Sequence, residues 1–321
     1  MAAMQMAATQ IAVVGAGIMG TGIAQVFAEA GLPVRLYGRR RASLTQARDR
    51  IAANQAELRA AGLAVDGGAL DRITATDDLA EAVGEAAFVS ENVSEDIAVK
   101  QQVFAELDRL APPSAVLSTN TSGLSITAIA GASSRPERVV GLHWLNPPHL
   151  MPVVEVCRGQ RTSDAVMDTT CELARRAGRQ PIRVERDVPG FLVNRLQFAL
   201  LREAFHLVAE GIASAEDVDR AVQGGLGLRW AAIGPFRVVD LAGLATFQAV
   251  ATQLFPRLSA DAAPPGLLAG KLDRGESGAA AGRGFHLYPP GAHDELIATR
   301  NARLLGLRRV LGEPGPDGEQ R

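Results

Sequence analysis

Ile11-Ala12-Val13-Val14-Gly15-Ala16-Gly17-Ile18-Met19-Gly20 is the stretch that decides how this chain folds. Four apolar residues make a short buried strand, glycines break it, and Thr21 to Ala30 follows as a helix-compatible segment. In a chain with 33 glycines the spacing alone is a weak signal. Its context strengthens it. Gly31 stands where a helix C-cap would be, and Pro33-Val34-Arg35-Leu36-Tyr37 reads as a second strand that completes a βαβ unit. In such a unit Gly15 makes the tight turn, Gly17 lets backbone approach a pyrophosphate, and Gly20 lets helix and strand close-pack. Ile18 and Met19, opening the helix, offer unpaired N–H groups and a partial positive charge to the phosphates. The expectation is a dinucleotide site built on Gly15, Gly17, Ile18, Met19 and Gly20.

At the end of that second strand a carboxylate usually takes the ribose 2′-hydroxyl of NAD. Gly38 stands there instead, followed by Arg39-Arg40-Arg41. Guanidinium forks suit a 2′-phosphate, and no acid is present to repel it. NADP(H) is the favoured cofactor, with Arg39 and Arg40 as contacts, and NAD(H) stays possible. The bland alternative is a solvated basic run on the next helix.

Length and composition bound the rest. A chain of 321 residues makes one large or two moderate domains, and 47% hydrophobic with 21% charged residues is a globular composition. A net charge of -2 argues against a nucleic-acid partner. Cys157 and Cys171, with five scattered histidines, have no metal-ligand or disulfide spacing, so no metal is expected and a reducing cytoplasm fits. The lead-in MAAMQMAATQ reads as frayed, neither signal peptide nor membrane span, and no membrane partner is expected.

Along the chain, Leu44, Ala47, Ile51, Leu58 and Ala61 recur at helical period within Ser43 to Leu63. Val65 to Gly68 reads as a loop, and Asp77 to Val83 as a capped short helix leading to a strand over Ala86 to Ser90. A helix over Ile97 to Leu110, a strand at Ala115 to Ser118, a helix at Ser125 to Ala130 and a strand at Val139 to His143 follow. Extended runs at Pro152 to Cys157 and Pro181 to Val184 flank a helix over Ser163 to Ala177. Strands alternating with helices imply a parallel sheet. Beyond Gly190 the pattern turns almost wholly helical, with Gly270 to Gly284 expected as a loop and Asp294 to Leu311 as a last helix. The expected architecture is α/β: a Rossmann-type doubly wound parallel sheet over 7–186, an all-helical C-terminal domain for substrate and dimerisation over 187–311, and a disordered tail over 312–321.

Dehydrogenating an alcohol needs a base for the hydroxyl proton while hydride leaves carbon, and histidine's pKa suits that work. His143 lies at the carboxyl end of an apolar strand, where open α/β sheets place ligands. Glu155, inside Val153-Val154-Glu155-Val156, would be buried and must find a partner. His143 is a candidate for it, although a lone strand histidine is more often a satisfied core residue.

At this point the residues resemble a known family. Asn120-Thr121-Ser122-Gly123-Leu124, Gly141-Leu142-His143-Trp144-Leu145-Asn146-Pro147-Pro148, Met151-Pro152-Val153-Val154-Glu155-Val156 and Asp187-Val188-Pro189-Gly190-Phe191-Leu192-Val193-Asn194-Arg195 are similar to the 3-hydroxyacyl-CoA dehydrogenase family. With the N-terminal fingerprint, the match spans about residues 9 to 250. The resemblance implies His143 as general acid/base, Glu155 as its orienting carboxylate, and Ser122 and Asn194 as contacts of the substrate oxygen and the ring. It also implies cofactor contacts at Glu95, Lys100 and Asn146, a homodimer, and a small hydroxy acid or acyl thioester as substrate. On that template Glu155→Gln is expected to cost less than His143→Ala, since an amide can still hold the ring.

The departures matter as much. Gly38 replaces the acid after the second strand. Asn54 and Ala61 align where members using CoA thioesters present a serine and a lysine, and Gly278 to Phe285 lies where a lysine pair would be. The segment Gly224 to Trp230 with Gly234-Pro235-Phe236 looks more like relatives that oxidise small non-CoA compounds of the carnitine, gulonate or hydroxymethyl-pyridine carboxylate type, and Arg229 is a candidate for a substrate carboxylate there. The alternatives to a hydroxyacyl dehydrogenase are such a non-CoA dehydrogenase, or a cofactor-binding sensor without turnover.

Overall fold

Strand β1, Ile11–Val14, is buried along its whole length and lies inside an eight-stranded sheet of order β3-β2-β1-β4-β5-β6-β7-β8. The structure, a computed structural model, describes residues 9–63 and 65–311. The tail at 312–321 and most of the lead-in fall outside the described residues. The other strands are β2 Val34–Tyr37, β3 Ile73–Thr76, β4 Phe88–Glu91, β5 Val116–Thr119, β6 Val139–Trp144, β7 Val153–Cys157 and β8 Gln180–Val184. Between them run α1 Ile18–Glu29, α2 Arg41–Ala60, α3 Leu79–Val83, α4 Ile97–Leu110, α5 Ile126–Ala130 and α6 Asp164–Arg176. Strand order reverses beside β1, which pairs with β2 on one side and β4 on the other. That is the topological switch point at which such sheets bind ligands.

The sheet departs from the parallel expectation at one place. β6 and β7 pair antiparallel, and β8 is parallel to β7, so the last two strands run against the others. Only eight residues, Leu145 to Pro152, link β6 to β7, too few for a crossover helix but enough for a hairpin-type return. β3 was not expected. It is four residues long at the sheet margin with only Thr76 buried, so it carries little apolar signal.

Two apolar layers sandwich the sheet. One joins Ile11, Val13, Ile23, Phe27, Leu36 and Trp144, the other Val14, Val89, Phe104, Leu117, Ile126 and Phe191. Among the helices between these strands, four starts are closed by side chains: Asp78 for α3, Asp96 for α4, Ser125 for α5 and Ser163 for α6. α1 is different. Its N-cap is Gly17, which has no side chain to offer, and its first turn holds no acid.

Packing divides the chain into two compact units, one ending at Arg195 and one beginning at Leu196, a few residues past the Asp187 turn. Helix α7, Val193–Ala209, runs through that division. The second unit continues with α8 Ala215–Arg220, a π-helical stretch Ala221–Gly227, α9 Leu228–Ile233, α10 Pro235–Ala242, α11 Leu244–Leu254, α12 Gly266–Asp273 and α13 Ala292–Leu311. Left-handed Gly234 and Gly243 separate α9, α10 and α11. The expected loop at Gly270 to Gly284 is corrected in part, because α12 extends to Asp273 and only the remainder is irregular, apart from one short turn at Ala279–Ala281. Among the described residues no single helix is long and apolar enough to cross a membrane; one pair, α10 with the run Leu244–Arg257, has that composition but is bent by 111°.

Candidate active site

The glycine turn does what its spacing requires. Gly15 has φ 112, and a Cβ there would stand 2.6 Å from the carbonyl oxygen of Asn92 at the end of β4. A Cβ on Gly20 would fall 1.8 Å from the Gly15 carbonyl oxygen, so the first turn of α1 can approach β1 only with glycine there. At Gly17 nothing lies within 4 Å of the Cβ position. That open face, beside a helix start with no side-chain cap, fits an anionic pyrophosphate. Ile18 is 63% exposed and lines the cleft with Gly15, Gly17, Tyr37, Gly38, Arg39 and Arg40. The cleft has a volume of about 450 Å³. Met19 is half-buried against the core.

The three arginines part company. Arg39 and Arg40 are exposed on the cleft wall, joined by Ser43, Gln46 and Arg50 from α2, three residues that sequence reasoning passed over although they fall on one helical face. Arg41 turns away to Asp77, with Nε 3.0 Å from Oδ2, and lines a separate cavity under α2. Gly38 is closely packed: a Cβ there would meet Leu44 Cδ2 at 2.9 Å and the Ala16 Cβ at 3.0 Å.

His143 and Glu155 are register partners in the antiparallel β6–β7 pair. Nδ1 of His143 lies 2.6 Å from Oε2 of Glu155, with both side chains almost fully buried. A carboxylate only accepts, so Nδ1 carries the proton and Nε2 is left as the acceptor. The other carboxylate oxygen, Oε1, accepts from the amides of Leu192 at 2.8 Å and Val193 at 2.9 Å, where α7 begins. Burial would push the Glu155 carboxyl up, but the bonds from His143, Val193 and Leu192 outweigh it and hold the carboxyl below the ordinary carboxylate range. Glu155 therefore stays charged beside the imidazole.

Phe191, just before those amides, was not singled out by the sequence. Its φ is 48, the one left-handed non-glycine among the described residues, and it follows left-handed Gly190. A bulky residue held there costs ~1–3 kcal/mol. Its ring is 2% exposed, with its centroid 5.7 Å from that of His143.

Ser122 and Asn194 are brought together by backbone. Nδ2 of Asn194 donates to the Ser122 carbonyl at 2.8 Å, and the Ser122 amide donates to Oε1 of Glu95 at 2.8 Å. Glu95 also accepts from the Thr121 hydroxyl at 2.6 Å, so it shapes the loop that carries Ser122. Lys100 has no exposed surface. Its ammonium donates to both oxygens of Glu91, at 2.8 and 3.0 Å, and to the Asn120 carbonyl at 3.0 Å. Glu91, at the end of β4, is equally buried and was missed because an acid closing a strand looks like a surface residue. Asn146 is exposed in the turn after β6. Asn120, quoted in the sequence motif but given no role, accepts the Trp144 amide at 3.1 Å and ties the ends of β5 and β6. Asp187 accepts from Ser125 Oγ and from the Ile126 and Thr127 amides, fastening the start of α5 to the turn before Phe191.

A dinucleotide cleft at the switch point, with a carboxylate-held imidazole at the end of β6, defines a nicotinamide-dependent dehydrogenase site. The comparisons agree. The chain belongs to the 3-hydroxyacyl-CoA dehydrogenase family of oxidoreductases: residues 10–188 match the family's NAD binding domain and 190–288 its C-terminal domain. It is 38% identical over 303 residues to a 5-formyl-3-hydroxy-2-methylpyridine 4-carboxylate 5-dehydrogenase of Mesorhizobium japonicum, covering 94% of this chain and 97% of that protein. It is 39% identical over 285 residues to a 3-hydroxybutyryl-CoA dehydrogenase of Mycobacterium tuberculosis, covering 87% and 98%. A solved structure of a 5-formyl-3-hydroxy-2-methylpyridine 4-carboxylic acid 5-dehydrogenase, described as an NAD+ dependent dismutase, superposes with a TM-score of 0.89 at 36% identity, over 94% of this chain and 98% of that one. This chain is accordingly an oxidoreductase of that family with an NAD-binding Rossmann domain.

Proposed function

We propose that the protein transfers hydride between NADP(H) and the hydroxyl-bearing carbon of a free hydroxy acid, with His143 as the general acid/base. The observation that carries the reading is the 2.6 Å contact from His143 Nδ1 to Glu155, which leaves Nε2 as the acceptor in one tautomer. In the oxidation direction Nε2 accepts the hydroxyl proton as the carbon loses hydride, and Glu155 stabilises the imidazolium. When bound, the nicotinamide supplies the hydride acceptor. Asn194 and Ser122, linked across 72 residues of sequence, position the substrate oxygen. A substrate screen read at the reduced-nicotinamide absorbance band, with both cofactors, tests this; no turnover of any hydroxy acid would sink it in favour of a sensor.

A free acid is favoured over a CoA thioester by the residues where a CoA anchor would stand. Asn54 is used inside the protein, donating to Gln25 at 2.8 Å, and Ala61 is an apolar C-cap. NADP(H) is favoured by Arg39 and Arg40 on the cleft wall and by a glycine in place of an acid at position 38. A homodimer is supported by the second unit, in which α7 to α12 have no buried residue while Phe236, Leu241, Leu244 and Phe255 are 83%, 79%, 70% and 70% exposed. So much apolar surface on helices calls for a self-complementary partner. Sedimentation equilibrium settles that: a monomer at micromolar concentration contradicts it. A reducing cytoplasmic setting is supported by two buried free thiols, Cys157 and Cys171.

A further inference from the structure

We infer that Phe191 is a positioning residue for His143: its ring braces the imidazole, and its left-handed backbone turns the next two amides onto the carboxylate that holds that imidazole. The inference rests on His143 being the proton-transfer group. Three observations meet here. Phe191 has φ 48, a conformation that Gly or Asn adopts readily and a bulky side chain resists. Strain of this kind persists only where the surroundings over-determine it, so a phenylalanine retained there points to a use for its ring. That ring is buried and lies against His143, tilted by 54° to it.

The backbone serves the same end. Because Gly190 and Phe191 are both left-handed, the Leu192 and Val193 amides converge on Oε1 of Glu155, a nest closed by a carboxylate at a helix start. Oε2 of the same carboxylate takes Nδ1 of His143. A single hydrogen bond at Nδ1 does not by itself hold the plane of an imidazole, since the ring torsion about Cβ–Cγ is soft. A flat ring beside it removes that freedom and fixes where Nε2 points. Phe191 thus acts twice on one dyad, through the ring on the imidazole and through the backbone on its carboxylate.

The test compares the unmodified protein with Phe191→Leu, which keeps bulk in the core, and Phe191→Gly, which releases the backbone but loses the ring. Nitrogen-15 spectra of histidine-labelled protein report the His143 tautomer and its Nδ1–H proton, and steady-state kinetics with a hydroxy acid found in the screen report turnover. The Nδ1–H tautomer is expected in all three proteins, because Glu155 only accepts, while the Nδ1–H proton resonance moves upfield and exchanges faster in both variants as the bond to Oε2 loosens. With it, kcat falls about 10- to 100-fold while KM and the cofactor Kd move less than about threefold. An unmoved Nδ1–H resonance and a kcat within about twofold in Phe191→Leu overturn the inference. So does a loss confined to Phe191→Gly that follows a lowered melting temperature, because packing alone would then explain it. If no hydroxy acid is turned over, the base reading fails, while the spectra still decide what Phe191 does to His143.

Discussion

Glu155 faces His143 across a ladder and not across a loop: the two are direct partners in the antiparallel β6–β7 register. Directly opposite residues have Cβ atoms ~4.5–5.5 Å apart, so the strand pairing itself brings carboxylate and imidazole within hydrogen-bond reach. What was a spacing of twelve residues in sequence is a single cross-strand step in space.

His143→Ala should remove ~10²–10⁴-fold of kcat, the usual range for general acid/base work, with cofactor dissociation constants unchanged. The structure revises the milder loss expected for Glu155→Gln. Glu155 accepts on both oxygens, and a glutamine must turn its NH₂ either toward the His143 Nδ1–H or toward the Leu192 and Val193 amides. Either the tautomer flips or the start of α7 loses its acceptor. Glu155→Gln should therefore cost nearly as much kcat as His143→Ala; a loss under about tenfold contradicts the two-sided arrangement.

Arg39→Ala and Arg40→Ala should each weaken NADP(H) binding by ~10-fold or more, as charge-assisted bonds contribute ~1.5–3 kcal/mol, and the effect should shrink as salt rises. Arg41→Ala should leave the Kd almost unchanged, because that guanidinium is engaged with Asp77 away from the cleft. Titration of the three variants with both cofactors at two salt concentrations checks this. Tighter binding of NAD(H) by the unmodified protein at low salt would show that the arginines do not meet the cofactor.

Lys100→Met should destabilise the fold by ~3–5 kcal/mol, the penalty for stranding one partner of a buried ion pair. Burial pushes the Glu91 carboxyl up, so it depends on Lys100 for its charge. Pairing Lys100→Met with Glu91→Leu should recover part of the loss. Urea unfolding of both proteins measures it, and additive losses in the double variant would contradict the pairing.

Acid should loosen the first unit before neutral or mildly basic conditions do. Asp108 is pulled well below the ordinary carboxylate range: burial raises it, but Ser133, Ser134 and Arg138 more than compensate. Glu155 and Asp187 are depressed as well, each by hydrogen bonds that outweigh burial. Depressed carboxyls contribute stability that is complete above their unfolded pKa of roughly 4 and is lost as pH falls toward their lower folded values. Melting temperature should be level from about pH 8 to 5 and drop below about pH 4; a flat profile to pH 3 contradicts it.

Much of the fold was legible because local and global signals agree there. The IAVVGAGIMG turn, the capped starts at Asp78 and Ser125 and the β-branched run around Glu155 each say one thing. β3 was illegible because an edge strand of four residues needs no apolar run. The direction of β7 was hidden because alternation marks a strand but not its partner. The site shows the same split. His143 and Glu155 announce themselves by residue type in an apolar setting, whereas Phe191 and Glu91 owe their importance to a backbone angle and a buried neighbour that no spacing reveals. Arg41 could not be told from Arg39 and Arg40 until Asp77 was seen beside it.

The reversal of β7 also governs which insertions and deletions the gene can tolerate. The β6–β7 connection is an eight-residue return whose length has no fixed relation to the ladder, so drift there leaves the pairing alone. Inside β7 the side-chain period is two, and losing one residue before Glu155 would present Val154 or Val156 to the imidazole and send the carboxylate to the opposite face. The count from Val153 to Glu155 is therefore as constrained as the identity of Glu155 itself.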